Sequence, residues 1–337
     1  MTISPLVSVI MATFNANPEH LKDSIKSILS QTYKNIEFII INDGSTTINP
    51  KKIIDNFKDE RILYISNEKN QGLTKCLNIG LNYCNGKFIA RMDDDDISFQ
   101  NRIEKQVNIF EQNSNINILG TNVEYFGNSN KYSNIIMSSN IEIQQIRLLL
   151  GNKAIFHPTV MYRASFLEKN NIKYNEKYKK AQDYGMWVEC TKFSNIDCLP
   201  EVLLRYRTHP NQISNKNRNE QQDYDDMIRI DQLEFLGIKP SETQIKTHLE
   251  FCKMDINLKI RDTEKWIEFL IRHNKETKKF NANVFSKIIK RYWIFICYNR
   301  FFKEKNLKYL LPLIKSLNLN IVSEFLLNKT RSIWRVK

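Results

Sequence analysis

Glycine and proline are scarce, at 9 and 8 of 337 residues, which excludes collagen-like and linker-rich material. No run of apolar residues approaches the roughly 18 needed to span a bilayer. The closest, Tyr292–Tyr298, is bracketed by Lys290, Arg291 and Arg300. Met1–Ser4 carries no basic stretch, and Leu6–Phe14 is too short for an h-region, so no signal peptide is expected. The six cysteines (76, 84, 190, 198, 252 and 297) form no C-x-x-C pair and no regular framework. That pattern argues against a disulfide scaffold and for free thiols in a reducing, cytoplasmic compartment.

What is present suffices for a large core: 42% of residues are hydrophobic and 11% aromatic. The length suits one large domain or two ordinary ones. The net charge of +13 is unevenly placed. Residues 1–240 hold 29 Lys/Arg against 28 Asp/Glu, whereas residues 241–337 hold 21 against 9. The basic excess therefore belongs to the C-terminal part and implies an anionic partner there.

The first 125 residues or so alternate strand and helix patterns. Leu6–Thr13 reads as a buried strand, and the nearly all-apolar Ile36–Ile41, Ile62–Ile65 and Phe88–Met92 as further strands. His20–Gln31, Ile48–Phe57, Leu73–Tyr83 and Arg102–Gln112 read as helices. This predicts an α/β fold with a mostly parallel sheet flanked by helices. Further on, Ile118–Phe126, Thr159–Tyr162 and Val202–Tyr206 look like strands, and Ile141–Leu150 and Asp183–Phe193 like helices. From about 219 the pattern is helical almost throughout, which places domains at 1–220 and 221–337.

Asp93-Asp94-Asp95-Asp96 directly follows Phe88-Ile89-Ala90-Arg91-Met92. Adjacent carboxylates repel and resist ionisation unless a cation shares the site. A hard divalent ion such as Mg²⁺ or Mn²⁺ suits such oxygens; a solvated acidic turn is the alternative. Two other strands also end in polar groups, Thr13-Phe14-Asn15 and Asn42-Asp43-Gly44-Ser45. Parallel strands put their carboxyl ends on one edge, where α/β sheets bind ligands. Asn15, Asp43 and the aspartates should therefore line one cleft.

Taken in order, several stretches resemble glycosyltransferase family 2, inverting sugar-nucleotide transferases of the GT-A (Rossmann-like) fold. They are Val7–Asn15, Ser27–Tyr33, Glu37–Ser45, Asn70–Leu73, Gly86–Asp96, His157–Val160, Gln182–Tyr184 and Arg205–His209. The resemblance covers about residues 5–215. It implies a metal-dependent enzyme moving a hexose or N-acetylhexosamine from a nucleotide sugar, a UDP-sugar in the first instance. The acceptor would be a glycan or lipid-linked glycan in surface polysaccharide or lipopolysaccharide synthesis.

The resemblance also assigns residues. The Asp-x-Asp pattern falls on Asp93 and Asp95, with Asp95 on a Mn²⁺ or Mg²⁺ ion and Asp93 at the ribose or metal shell. Asp94 takes the variable position, though four aspartates in line leave the register open by one and leave Asp96 to the turn or the sugar. Asp43 corresponds to the nucleobase residue, or organises a turn. Thr13, Phe14 and Asn15 meet the base, Gly72 allows close backbone approach, and Lys75 and Arg91 offer phosphate charge unless they are ordinary surface cations. Asp183 is the expected general base, otherwise a helix N-terminal charge. His209 would close over diphosphate and metal, with Ser214 nearby, or is a lone surface histidine. His157 lines the acceptor side or is structural. One departure stands out: Gln182 occupies the first position of the family's Glu-Asp pair.

Residues 287–315 interleave lysines and arginines with Tyr292, Trp293, Phe295, Phe301, Phe302 and Leu310-Leu311. They read either as an anionic-membrane surface, making the protein peripheral on the cytoplasmic face of the inner membrane, or as a helical subdomain with an aromatic core. A degenerate sugar-nucleotide-binding scaffold is the alternative to an enzyme. A nucleic-acid binder is disfavoured, because no such motif is present and the N-terminal part is near neutral.

Overall fold

The computed structural model describes residues 4–128, 131–135, 137–152, 154–209 and 218–312. The chain divides into two compact units. The first is Met1–Ser139 with Ala154–Asp225, and the second is Asn140–Lys153 with Asp226–Lys337.

The first unit is built on an eight-stranded sheet. Its strands are β1 (Val7–Thr13), β2 (Ile36–Asn42), β3 (Ile62–Ser66), β4 (Phe88–Met92), β5 (Ile97–Ser98), β6 (Ile118–Gly127), β7 (Met161–Arg163) and β8 (Asp197–Thr208). The order across the sheet is β3-β2-β1-β4-β7-β6-β8-β5. The first four are mutually parallel, and β7 then runs antiparallel to both β4 and β6. The β6–β8 pair is parallel again, and the short β5 closes the edge antiparallel to β8. Burial explains the composition of the central strands: β4 is buried at all five positions, so it reads as a continuous apolar run with one arginine.

Helices α1 (Pro18–Leu29), α2 (Pro50–Asp55), α3 (Leu73–Asn82), α4 (Arg102–Gln112), α6 (Ala164–Lys169) and α7 (Gln182–Cys190) belong to this unit. Asn17 caps α1 by accepting from the Glu19 and His20 amides at 3.0 and 3.2 Å, and Pro18 supplies the preset φ of the first turn. On α4, Ile103, Val107 and Phe110 face the sheet, and Phe110 stacks on Phe88 with centroids 4.9 Å apart. Sequence periodicity overextends α2, expected over Ile48–Phe57, because Asn49 caps it and Pro50 starts it. Thr159–Tyr162 proves to be the end of a 3₁₀ turn, His157–Thr159, followed by β7.

The second unit gathers α5 (Ile141–Leu150), α8 (Arg218–Phe235, from Asp226 onward), α9 (Glu242–Lys253), α10 (Ile260–Thr277) and α11 (Ala282–Tyr298). Ile146, Leu149, Phe251, Trp266, Phe285, Tyr292 and Trp293 are buried in one core. A capping box of Ser241 and Gln244 starts α9. No helix among the described residues is long and apolar enough to cross a membrane.

Candidate active site

Register fixes the edge on which the site stands. Thr13 pairs with Asn42, and Met11 with both Ile40 and Met92. The residues just beyond (Phe14, Asn15, Asp43 and Asp93) therefore leave the sheet on one side. The Asp43 amide donates to the Thr13 carbonyl at 2.9 Å, which keeps the first two strand ends together.

The acidic turn after β4 is held from two directions. Ser24 on α1 donates its hydroxyl to the Asp93 carbonyl at 2.6 Å. From β8, Arg207 donates Nε to the Asp95 carbonyl at 2.7 Å and its amide to Asp96 Oδ1 at 2.8 Å. Held so, Asp93, Asp95 and Asp96 each offer a carboxylate oxygen within 4.8 Å of the others. Asp94 lies outside that group. His209 Nε2 sits 3.0 Å from Asp95 Oδ2. Arg91, 5% exposed, is ion-paired with Asp93, and its Nε and Nη1 have no hydrogen-bond partner among the described residues. The reading of Arg91 as a surface cation is thereby corrected: β4 is covered on both faces, so its arginine is interior.

Crowding shows in the ionisation of these groups. Burial and Asp95 push the Asp94 carboxyl up to about 7. Burial and Asp93 raise Asp95, against the pull of His209. Burial, Asp93 and Asp95 raise Asp96 well above the carboxylate range, and its Oδ2 is buried without a hydrogen-bond partner among the described residues. Three hard carboxylate oxygens gathered in one place, with Asp95 and Asp96 both held back from ionisation, are a donor set that fits a divalent cation. Burial works against the Arg91 charge, but Asp93 more than offsets it, so its pKa is raised.

The loops after β1 and β2 are organised around two residues. Asp43 is 3% exposed. Its Oδ1 accepts from the Gln71 amide at 2.8 Å and Asn67 Nδ2 at 3.1 Å, and its Oδ2 from the Gly72 amide at 2.8 Å. It thus fixes the loop that starts α3, where Gly72 has φ +92° and no side-chain cap is present. Asn15, at φ +49°, takes the Thr46 and Thr47 amides on Oδ1 at 2.8 and 2.9 Å. Phe14, which precedes Asn15, is 47% exposed. The Thr13 hydroxyl lies near Asp94 and lowers its pKa, yet it finds no partner at full hydrogen-bonding geometry. Lys75, half exposed on α3, is 3.9 Å from Glu176.

Asp183 lies in the first turn of α7, anchored by buried Tyr184 and Trp187. The segment before α7 is tied to α3, where Asn78 exchanges two hydrogen bonds of 2.9 Å with the Tyr174 backbone. The Tyr174 hydroxyl is 2.8 Å from Nε2 of buried His157. The Tyr174 phenol is pushed up chiefly by burial, drawn down by Arg91 and raised further by Asp183. Burial and Arg91 hold His157 well below its usual pKa, hence neutral. Ser214 lies outside the described residues.

The Glycosyl transferase family 2 model matches residues 8–170. An uncharacterized glycosyltransferase of Haemophilus influenzae is 33% identical over 269 residues, covering 76% of this chain and 83% of its own. Another, from Methanocaldococcus jannaschii, is 35% identical over 207 residues, or 60% and 71% of the two chains. The chain belongs to glycosyltransferase family 2. Solved structures place its fold among the GT-A-like transferases. Staphylococcus aureus TarS 1–349, solved with UDP-GlcNAc, matches with a TM-score of 0.59 at 15% identity over 92% of this chain and 90% of that one. The mannosyltransferase PcManGT of Pyrobaculum calidifontis, solved with GDP-Man and Mn²⁺, gives 0.52 at 10% identity over 90% and 88%.

Some residues that hold this candidate site together escaped the sequence reading. Arg207 stands two residues before His209, so the strand period puts both on one face, a usable signal. Arg102 opens α4, where a cation opposes the helix dipole. It is fully buried and donates Nη1 to the carbonyls of Arg91 and Pro158 at 3.2 and 2.6 Å, fastening β4 to the 157–159 turn. Burial lowers its pKa to about 9. Ser24 and Tyr174 carry no signal in sequence.

Proposed function

We propose that this glycosyltransferase moves a hexose or N-acetylhexosamine from a UDP-sugar to a hydroxyl of a glycan or lipid-linked glycan, inverting the anomeric centre, in surface polysaccharide or lipopolysaccharide synthesis. The observation that carries the reading is the gathering of Asp93, Asp95 and Asp96 within 4.8 Å, beside Arg91 and His209 at the carboxyl edge of the parallel strands. The nucleotide sugars and Mn²⁺ with which the two neighbours were solved support the choice of donor and ion.

Asp93, Asp95 and Asp96, with His209, would hold Mn²⁺ or Mg²⁺. When bound, the ion offsets charge developing on the diphosphate. Arg91 holds Asp93 in place and adds fixed positive charge. Phe14 offers an exposed ring face to the base. Asp43 keeps the 67–72 loop in position, and Oδ2, which accepts one hydrogen bond, retains capacity for an imide N–H. Asp183 accepts the proton of the attacking hydroxyl; an inverting displacement needs one such base opposite the leaving group. We assign this chemistry to the first unit, and acceptor or membrane association to the basic second unit. The scaffold alternative rests on Gln182 alone.

Incubation with UDP-sugars, with and without Mn²⁺, tests the reading. Metal-dependent release of UDP, with the opposite anomer in the transferred product, is expected. UDP binding without any turnover would favour the scaffold, and neither binding nor turnover would end both readings.

A further inference from the structure

The aromatics expected at a membrane surface separate into two groups. Tyr292 and Trp293 are interior, part of the second unit's core. The chain beyond them behaves differently. Asn299–Lys303 continues α11 as a π-turn, and Leu307–Tyr309 forms a 3₁₀ turn. In this stretch Phe302, Leu307, Leu310 and Leu311 are all exposed, Leu307 by 75%. The loop after α9 lies against it. Arg300 Nη2 donates to the Met254 carbonyl at 2.6 Å, and the Tyr309 hydroxyl to the Leu258 carbonyl at 3.4 Å. Between these two anchors Ile256 is 75% exposed. Of the six large hydrophobic residues exposed in the second unit, among the described residues, five fall in these two stapled segments. Scattered exposed leucines are ordinary; concentration in one place is not.

Charge selects the occupant. Arg300 is ion-paired with Glu304. Lys303, Lys305 and Lys308 are exposed and make no ion pair among the described residues. A second copy of the chain docking through this patch would set the same lysines against each other across a two-fold axis. An anionic bilayer matches both features, taking the apolar side chains into its interface and the ammonium groups among its headgroups.

We infer that Ile256, Phe302, Leu307, Leu310 and Leu311, flanked by Lys303, Lys305 and Lys308, form a tip that seats the protein on an anionic lipid surface. This narrows the membrane association proposed for the second unit to one patch, and it does not depend on the donor chemistry.

The full chain is sedimented with phosphatidylcholine vesicles with and without phosphatidylglycerol, and each variant is also assayed for UDP-sugar hydrolysis. Binding to the anionic vesicles alone, released by high salt, is expected. Each lysine contributes about fivefold, so the Lys303→Gln, Lys305→Gln, Lys308→Gln triple variant should bind about a hundredfold more weakly. Leu307→Ser with Leu311→Ser should bind weakly too, with an unchanged circular dichroism spectrum. All variants should hydrolyse donor like the parent. Equal binding to neutral vesicles, no binding by the parent, or undiminished binding by the triple variant would overturn the inference. So would a dimer, measured by light scattering, that the leucine changes dissociate. Vesicle binding by a protein that hydrolyses no donor would support the tip while counting against the transferase reading.

Discussion

His209 Nε2 lies 3.0 Å from Asp95 Oδ2, bridging 114 residues of chain. The contact joins the end of β8 to the turn after β4, and Arg207 reinforces it from the same strand. Removing Asp95 takes away a carboxylate of the three-oxygen set, whereas Asp94 stands outside it. Asp95→Ala should abolish metal-dependent UDP-sugar hydrolysis, and Asp94→Ala should leave most of it. His209→Ala should weaken Mn²⁺ activation by at least about 10–100-fold, because it removes a proposed ligand as well as the contact that positions Asp95. Titrating activity against Mn²⁺ for the three variants checks this.

Asp43→Ala strands the amides of Gln71 and Gly72. About 1–3 kcal/mol of stability should be lost, seen in urea unfolding, together with a raised KM for the donor. Gly72→Ala separates loop strain from lost hydrogen bonds. A Cβ there meets nothing within 4 Å, so at φ +92° only backbone strain acts. The cost should be about 1–3 kcal/mol.

Asp183→Asn removes the proposed base and keeps the side-chain shape. Transfer should fall by about 10²–10⁴, while UDP binding and thermal stability stay as in the parent. Undiminished transfer would reassign the base.

How far the sequence carries can be judged at particular residues. The strands β1, β2 and β4 were legible because doubly covered strands are apolar throughout, and the edge strand β3 as a short apolar run although Leu63 is exposed; their common edge followed from parallel pairing. Mg²⁺- or Mn²⁺-suited aspartates were legible as a run, but Asp96 joins Asp93 and Asp95 through Arg207, a contact between residues 111 positions apart. The packing of Ile146 and Leu149 with Trp266 and Phe285 was not legible either, because amphipathicity marks a buried face without naming what covers it. Tyr292 and Trp293 could not be sorted from Phe302 by composition. Only the position at which α11 gives way to a π-turn distinguishes core from exposed tip.

Acid sensitivity should arise in the second unit. His248 is fully buried, accepts the Trp266 indole N–H on Nδ1 at 3.2 Å, and is pushed down to about 3 by burial and Arg229. An unfolded histidine titrates near 6.5. Above about 6.5 both states leave it neutral and stability is full. As pH falls toward about 3, the unfolded chain binds a proton that the folded chain refuses, so stability declines, by at most about 5 kcal/mol. His157, also held neutral, acts in the same direction. Urea midpoints near pH 7 and near pH 5 measure the slope, and His248→Gln should flatten it.

Manganese binding followed by the EPR signal of the free ion, with and without UDP, tests the central claim most directly. Saturable Mn²⁺ uptake tightened by UDP, and lost in Asp95→Ala, is predicted. Uptake indifferent to UDP and unchanged in Asp95→Ala would contradict the account.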